Sequence, residues 1–165
     1  EDLYCSFDKA IELINKSRKI YIIGLRSSYT VAYYFYFMLK RFMDNIELIS
    51  LETGDIIDDL SYVKKNDLLI AMSFTKYSRY TVKVVDFFKK NGNRIIAVTD
   101  SRSAPIAIKS DVTLIAKSDS TSYSFVSAMT IVNAVIISLG LIDRDKTLKI
   151  MKRKEEVAMD YDVYI

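Results

Sequence analysis

Five side chains between residues 73 and 79 carry the chemistry that this sequence offers most clearly. Ser73, Thr75 and Ser78 supply hydroxyls, and Lys76 and Arg79 supply cations. Hydroxyls and backbone N–H groups at the positive end of a helix dipole suit an anion the size of a phosphate. A plainer reading stands beside it, in which Ser78 caps a helix and the others are ordinary loop residues. The flanking segments decide whether such a loop can form. Asp67-Leu68-Leu69-Ile70-Ala71-Met72 reads as a strand buried on both faces. Val82, Val85 and Phe88, with Val84 and Phe87, form a helical stripe that ends at Asn91-Gly92.

A second polar turn lies earlier in the chain. Lys19-Ile20-Tyr21-Ile22-Ile23-Gly24 reads as a buried strand, and Leu25-Arg26-Ser27-Ser28 as the turn after it. A helix from about Tyr29 to Met43 follows, with Val31, Tyr34, Phe35, Met38, Leu39 and Phe42 on its buried side. The other expected strands are 46–49, 94–98 and 111–115. A helix over 3–17 precedes them, and Thr53-Gly54-Asp55 is expected to open a short helix through Leu60. Ser103 and Pro105 are expected to start another. Strands alternating with helices imply a three-layer α/β/α sandwich around a five-stranded parallel sheet of flavodoxin-like order. Ligands of such sheets bind beyond the carboxyl ends of the strands, at the switch between the first and third. The turns at Ser27/Ser28 and Ser73–Ser78 end those two strands.

Composition narrows the chemistry further. The 165 residues carry 24 basic and 21 acidic side chains, one cysteine, one proline and no histidine. One cysteine rules out an internal disulfide and any multi-cysteine metal site. The missing histidine removes the commonest metal ligand and the commonest general acid–base residue. No metal and no cofactor are expected. A net charge of +3 does not by itself imply nucleic-acid binding. The stretch Ser120–Ile142 has no charged side chain, but its many hydroxyls favour a helix buried in the domain or in a subunit interface over a membrane span. An amphipathic helix over about 143–160 reads as a solvated face or interface rim. No leader precedes the first helix, so a cytoplasmic location is expected. The chain begins at Glu1 rather than Met, as a fragment of a longer protein would.

Three segments together resemble a known family. Ile22-Ile23-Gly24-Leu25-Arg26-Ser27-Ser28, Ser73-Phe74-Thr75-Lys76-Tyr77-Ser78-Arg79 and Ile96-Ala97-Val98-Thr99-Asp100-Ser101 resemble the sugar isomerase (SIS) domain. Within it they look like the effector-sensing domain of RpiR-type bacterial transcriptional regulators. The resemblance implies a single SIS domain over residues 1–165, a phosphosugar ligand and a homodimer or higher homo-oligomer. It also implies DNA contact only through an N-terminal helix-turn-helix domain outside this chain. By position, Ser28 matches the family's first-loop serine, and Ser73, Thr75 and Ser78 its phosphate-binding hydroxyls, with Ser27 beside them. Arg26 and Lys76 stand where many SIS domains have glycine, and each adds a cation near the expected anion. Arg26 reads equally well as a surface guanidinium paired with a carboxylate.

The sensing reading needs no catalytic residue. The alternative is an aldose–ketose isomerase of sugar phosphates, whose base would have to be a carboxylate such as Glu52 or Asp55. A third reading is a dimerisation domain without a ligand. The aromatic run Tyr29–Phe37, including Tyr33 and Tyr36, is expected to contribute to a dimer interface together with the uncharged helix.

Overall fold

The computed structural model describes residues 3–50, 56–117, 124–161 and 163. Five parallel strands, β1 (Ile20–Gly24), β2 (Ile46–Ile49), β3 (Leu68–Met72), β4 (Arg94–Thr99) and β5 (Val112–Ile115), lie in the order β2-β1-β3-β4-β5. Every residue of β1 and β3 is buried, which is why both read as unbroken apolar runs. Alternate residues serve opposite faces. Ile20, Ile22, Leu68, Ile70, Met72, Ile96 and Val98 face one layer, built on α1 (Leu3–Lys16), α2 (Tyr29–Leu39) and α5 (Val126–Ile142). Tyr21, Ile23, Leu69, Ala71, Ile95 and Ala97 face the other, where α4 (Arg79–Lys90) packs Val84, Val85 and Phe88. Phe88 is fully buried and meets Tyr21 edge-on at 5.5 Å. The three-layer parallel sandwich expected from the sequence is therefore the fold.

Several local details differ. Helix α2 stops at Leu39, and Lys40–Phe42 continue as turns. Ala32 is buried, while Tyr34, Met38 and Phe42 pack at the core's margin. The segment after Ser103 forms consecutive turns instead of a helix. Ala107 N–H donates to Ala104 O (2.9 Å) and Ser110 N–H to Ala107 O (3.2 Å), while Ala104 and Ile106 fill the core. Gly92 closes α4 with φ +73°, the left-handed residue that the Asn-Gly-Asn sequence predicts. Helix α3 (Ile56–Ser61) is short, and the residues expected to open it, 53–55, lie outside the described residues. So do residues 120–123 of the uncharged stretch.

Helix α5 buries Ala128, Val132, Val135, Ile136 and Leu139 and exposes Val126, Ile137 and Leu141. Among the described residues no single helix is long and apolar enough to cross a membrane. Helix α6 (Arg144–Asp160) starts from Asp143, whose carboxylate accepts from Lys146 N–H, and it has no buried residue.

Candidate functional site

Register brings the two polar turns together. Gly24, the last residue of β1, pairs with Met72, the last of β3, so the two loops leave the sheet side by side. On the other flank Met72 pairs with Val98, which places Ser73 next to Thr99 and Asp100 at the end of β4.

The first loop is compact because Gly24 has no side chain. A Cβ there would lie 2.6 Å from Ser28 O and 2.8 Å from Ala32 Cβ. The chain therefore turns tightly through Leu25 into a single 3-10 turn, Arg26–Ser28, and straight on into α2. Ser28 N–H donates to Leu25 O (3.3 Å), and Thr30 Oγ1 donates to Ser27 O (2.8 Å). Ser28 does not cap α2 with its side chain. Arg26 is exposed, adopts φ +57° and takes part in none of the described ion pairs. The carboxylate-paired surface guanidinium is thus not what the described residues show.

The second loop is tied more thoroughly. Ser73 is buried; its N–H donates to Val98 O (3.3 Å), and its carbonyl accepts from Thr99 Oγ1 (2.6 Å). Ser73 Oγ accepts from Ser78 N–H (3.4 Å), folding the loop back on itself. Ser78 Oγ accepts from Thr81 N–H (3.5 Å) and caps α4, as the plainer reading of that residue held. Lys76 sits at the loop's apex with φ +70°.

Asp100, which sequence reasoning missed as a site residue, closes this loop. Its Oδ2 accepts from Thr75 N–H (3.1 Å) and from the Thr75 hydroxyl, and its Oδ1 accepts from Tyr77 OH (2.9 Å). Burial works to raise the Asp100 pKa, but the hydrogen bonds from Thr75, Tyr77, its own backbone N–H and Thr99 together outweigh it, and the carboxyl ends below its usual range. Burial, followed by the bond to this carboxylate, pushes the Tyr77 phenol up to about 12. The available signal was an acid directly after Thr99, at the carboxyl end of the strand beside β3.

The structure thus gathers Ser73, Thr75, Lys76 and Ser78 in one loop and Arg26, Ser27 and Ser28 in its neighbour. Glu52 and Asp55 lie outside the described residues. Arg26 and Lys76 both hold the left-handed backbone that a glycine would favour. Strain of this kind amounts to about 1 kcal/mol or more per residue and collects at functional sites. Lys76→Gly is expected to raise stability by about 0.5 kcal/mol, since relief of strain exceeds the added freedom of the unfolded chain. Urea denaturation reads this directly; a clear loss would mean that contacts of Lys76 outweigh its strain.

Comparison with known proteins agrees with this architecture. The SIS domain family matches residues 13–138, and the chain belongs to that family. An uncharacterized HTH-type transcriptional regulator of Thermotoga maritima is 29% identical over 146 residues, 87% of this chain and 49% of that protein. A glutamine–fructose-6-phosphate aminotransferase (isomerizing) of Pyrobaculum aerophilum is 33% identical over 99 residues, 59% of this chain and 16% of that protein. The chain thus spans half or less of the length of these curated relatives. Among solved structures, the sugar isomerase domain of an RpiR transcription factor from Sphaerobacter thermophilus superposes with a TM-score of 0.85 at 21% identity, covering 92% of this chain and 86% of that one. The Vibrio vulnificus NanR protein complexed with ManNAc-6P gives a TM-score of 0.85 at 18% identity, over 98% and 62%. Phosphoheptose isomerase GmhA from Neisseria gonorrhoeae gives 0.72 at 17%, over 83% and 86%.

Proposed function

We propose that this chain is a single SIS domain that senses a phosphorylated sugar for a DNA-binding transcriptional regulator of carbohydrate metabolism. The observation that carries the reading is the pairing of two hydroxyl-bearing loops at the switch between β1 and β3. Loop N–H groups, the hydroxyls of Ser27, Ser28, Ser73, Thr75 and Ser78, and the Arg26 and Lys76 cations form the phosphate-binding set. The ligand needs no chemical change; preferential binding to one conformation shifts the population toward it. The likeness to regulators that share the fold, one of them complexed with ManNAc-6P, supports a phosphosugar as the ligand. DNA contact belongs to a separate helix-turn-helix domain of the whole protein. Copies of the chain associate through α2 and α5, where Tyr29, Tyr33 and Phe37 stack along an exposed ridge.

The test is thermal denaturation against aldose and ketose phosphates and the corresponding free sugars, with Ser28→Ala as comparison. The Ser28 side chain does not cap α2, so its removal takes a ligand contact without removing a helix cap. A phosphosugar at a hundredfold its dissociation constant stabilises the fold by about 2.7 kcal/mol. The expected result is a clear upward shift with one phosphosugar, much reduced in Ser28→Ala and absent with the free sugar. No shift across the series would sink the sensing role and leave a dimerisation domain. Solved isomerases share the fold, so the stabilising compound is then assayed for aldose–ketose conversion. Turnover would make the chain an isomerase instead.

A further inference from the structure

The Ser73–Ser78 loop already holds an anion of its own. Thr75 N–H, the Thr75 hydroxyl and the Tyr77 hydroxyl each have one hydrogen to give, and all three give it to the carboxylate of Asp100. A phosphate held by Thr75 would ask for that residue's two donors, and neither can serve two acceptors fully at once. The carboxylate also carries a negative charge into the space where the phosphate's charge must go. Like charges a few ångströms apart in partly buried surroundings repel strongly enough to change affinity by an order of magnitude.

We propose that Asp100 is a built-in competitor for the ligand's phosphate, so that binding proceeds by exchange of the Asp100 carboxylate for the phosphate at Thr75, while Tyr77 serves only the carboxylate. The inference rests on the phosphosugar reading of the same loop. It gives the domain a defined internal change on binding. The side chain released from Thr75 belongs to the residue that follows Thr99, whose hydroxyl bonds to the Ser73 carbonyl. Exchange at the loop therefore acts directly on the end of β4. Asp100 is in this sense an affinity-setting residue, and Tyr77 helps to hold it in place.

Amide 1H–15N spectra of the loop, titrated with inorganic phosphate at constant ionic strength, test the exchange. Wild type, Asp100→Asn and Tyr77→Phe are compared. Asparagine keeps a carbonyl oxygen for Thr75 N–H but removes the charge. Half-saturating phosphate is expected to fall roughly tenfold in Asp100→Asn. In Tyr77→Phe, which loosens the carboxylate by one hydrogen bond, it is expected to fall about threefold. If the wild-type loop responds but Asp100→Asn binds equally or more weakly, the competition is overturned and the phosphosugar reading survives. If the loop amides of no protein respond, both fall. Should Asp100→Asn fail to fold, Tyr77→Phe decides alone, since unchanged or weakened binding there also overturns the exchange.

Discussion

Gly24→Ala is expected to destabilise the fold by about 3 kcal/mol and to abolish phosphosugar binding with it. The reason is space, not backbone conformation. The added methyl would meet the Ser28 carbonyl oxygen at 2.6 Å and the Ala32 methyl at 2.8 Å. Neither is the end of a flexible side chain. One is backbone in the 3-10 turn, and the other projects from the first turns of α2, where Ala32 is fully buried. Relief requires α2 to back away from β1, which opens packing around Val31, Ala32 and Phe35. Overpacking of a well-filled core typically destabilises by about 1–3 kcal/mol, and a clash with rigid partners belongs at the upper end. For a chain of this length, that is a fall in melting temperature of roughly 10 °C. The same displacement carries Ser27 and Ser28 away from the second loop, so ligand stabilisation disappears even at temperatures where the variant is folded. Denaturation with and without the stabilising phosphosugar separates the two effects. A variant as stable as wild type would show that α2 yields easily. Retained binding in a destabilised variant would show that the first loop does not hold the ligand.

How much of this was legible in the sequence follows from burial. Strands β1 and β3 are covered on both faces, so they read as unbroken apolar segments whose ends are marked by Gly24 and Ser73. Helix α4 was legible at both ends, from the Ser78 cap to the Gly92 stop. Helix α2 was read too long because Phe42 continues the apolar spacing, although it sits in a turn after Leu39. The turns after Ser103 were read as a helix because proline and serine mark helix starts and turns alike. Arg26 and Lys76 stood out as replacements for glycine, but a side chain does not announce a positive φ. Asp100 was the least legible of the site residues. Its bonds to Thr75 and Tyr77 depend on β4 lying beside β3, a pairing between segments some 25 residues apart that no local pattern encodes.

At the opposite edge of the sheet, Asp67→Ala is expected to remove about 3 kcal/mol of stability while leaving phosphosugar affinity unchanged. The Asp67 side chain has no solvent exposure, and its Oδ2 accepts from Arg18 (2.7 Å) and from Lys64 N–H (2.7 Å). Nearby, Arg18 N–H donates to Asn66 O (3.1 Å), and Asn93 Nδ2 donates to the carbonyls of Lys64 (2.8 Å) and Asp67 (3.0 Å). The approach to β1 and the turn before β3 are therefore joined at this carboxylate, and the Asn93 side chain ties the approach to β4 to the backbone of the same turn. Truncation leaves the Lys64 N–H without its acceptor and opens a small cavity beneath it, losses that together reach several kcal/mol. Arg18 is 45% exposed and regains water, which limits the loss. The other carboxylate oxygen, Oδ1, is buried with no hydrogen-bond partner, so the native arrangement itself carries a desolvation penalty. Asp67→Asn keeps an acceptor for Lys64 N–H and is expected to lose about half as much. Urea denaturation of the two variants measures the difference. A loss below about 1 kcal/mol in Asp67→Ala would mean that the penalty on the buried carboxylate cancels its hydrogen bonds. Gly24 and Asp67 then divide the sheet by function. Changes at the carboxyl edge alter stability and ligand together, whereas changes at the amino edge alter stability alone.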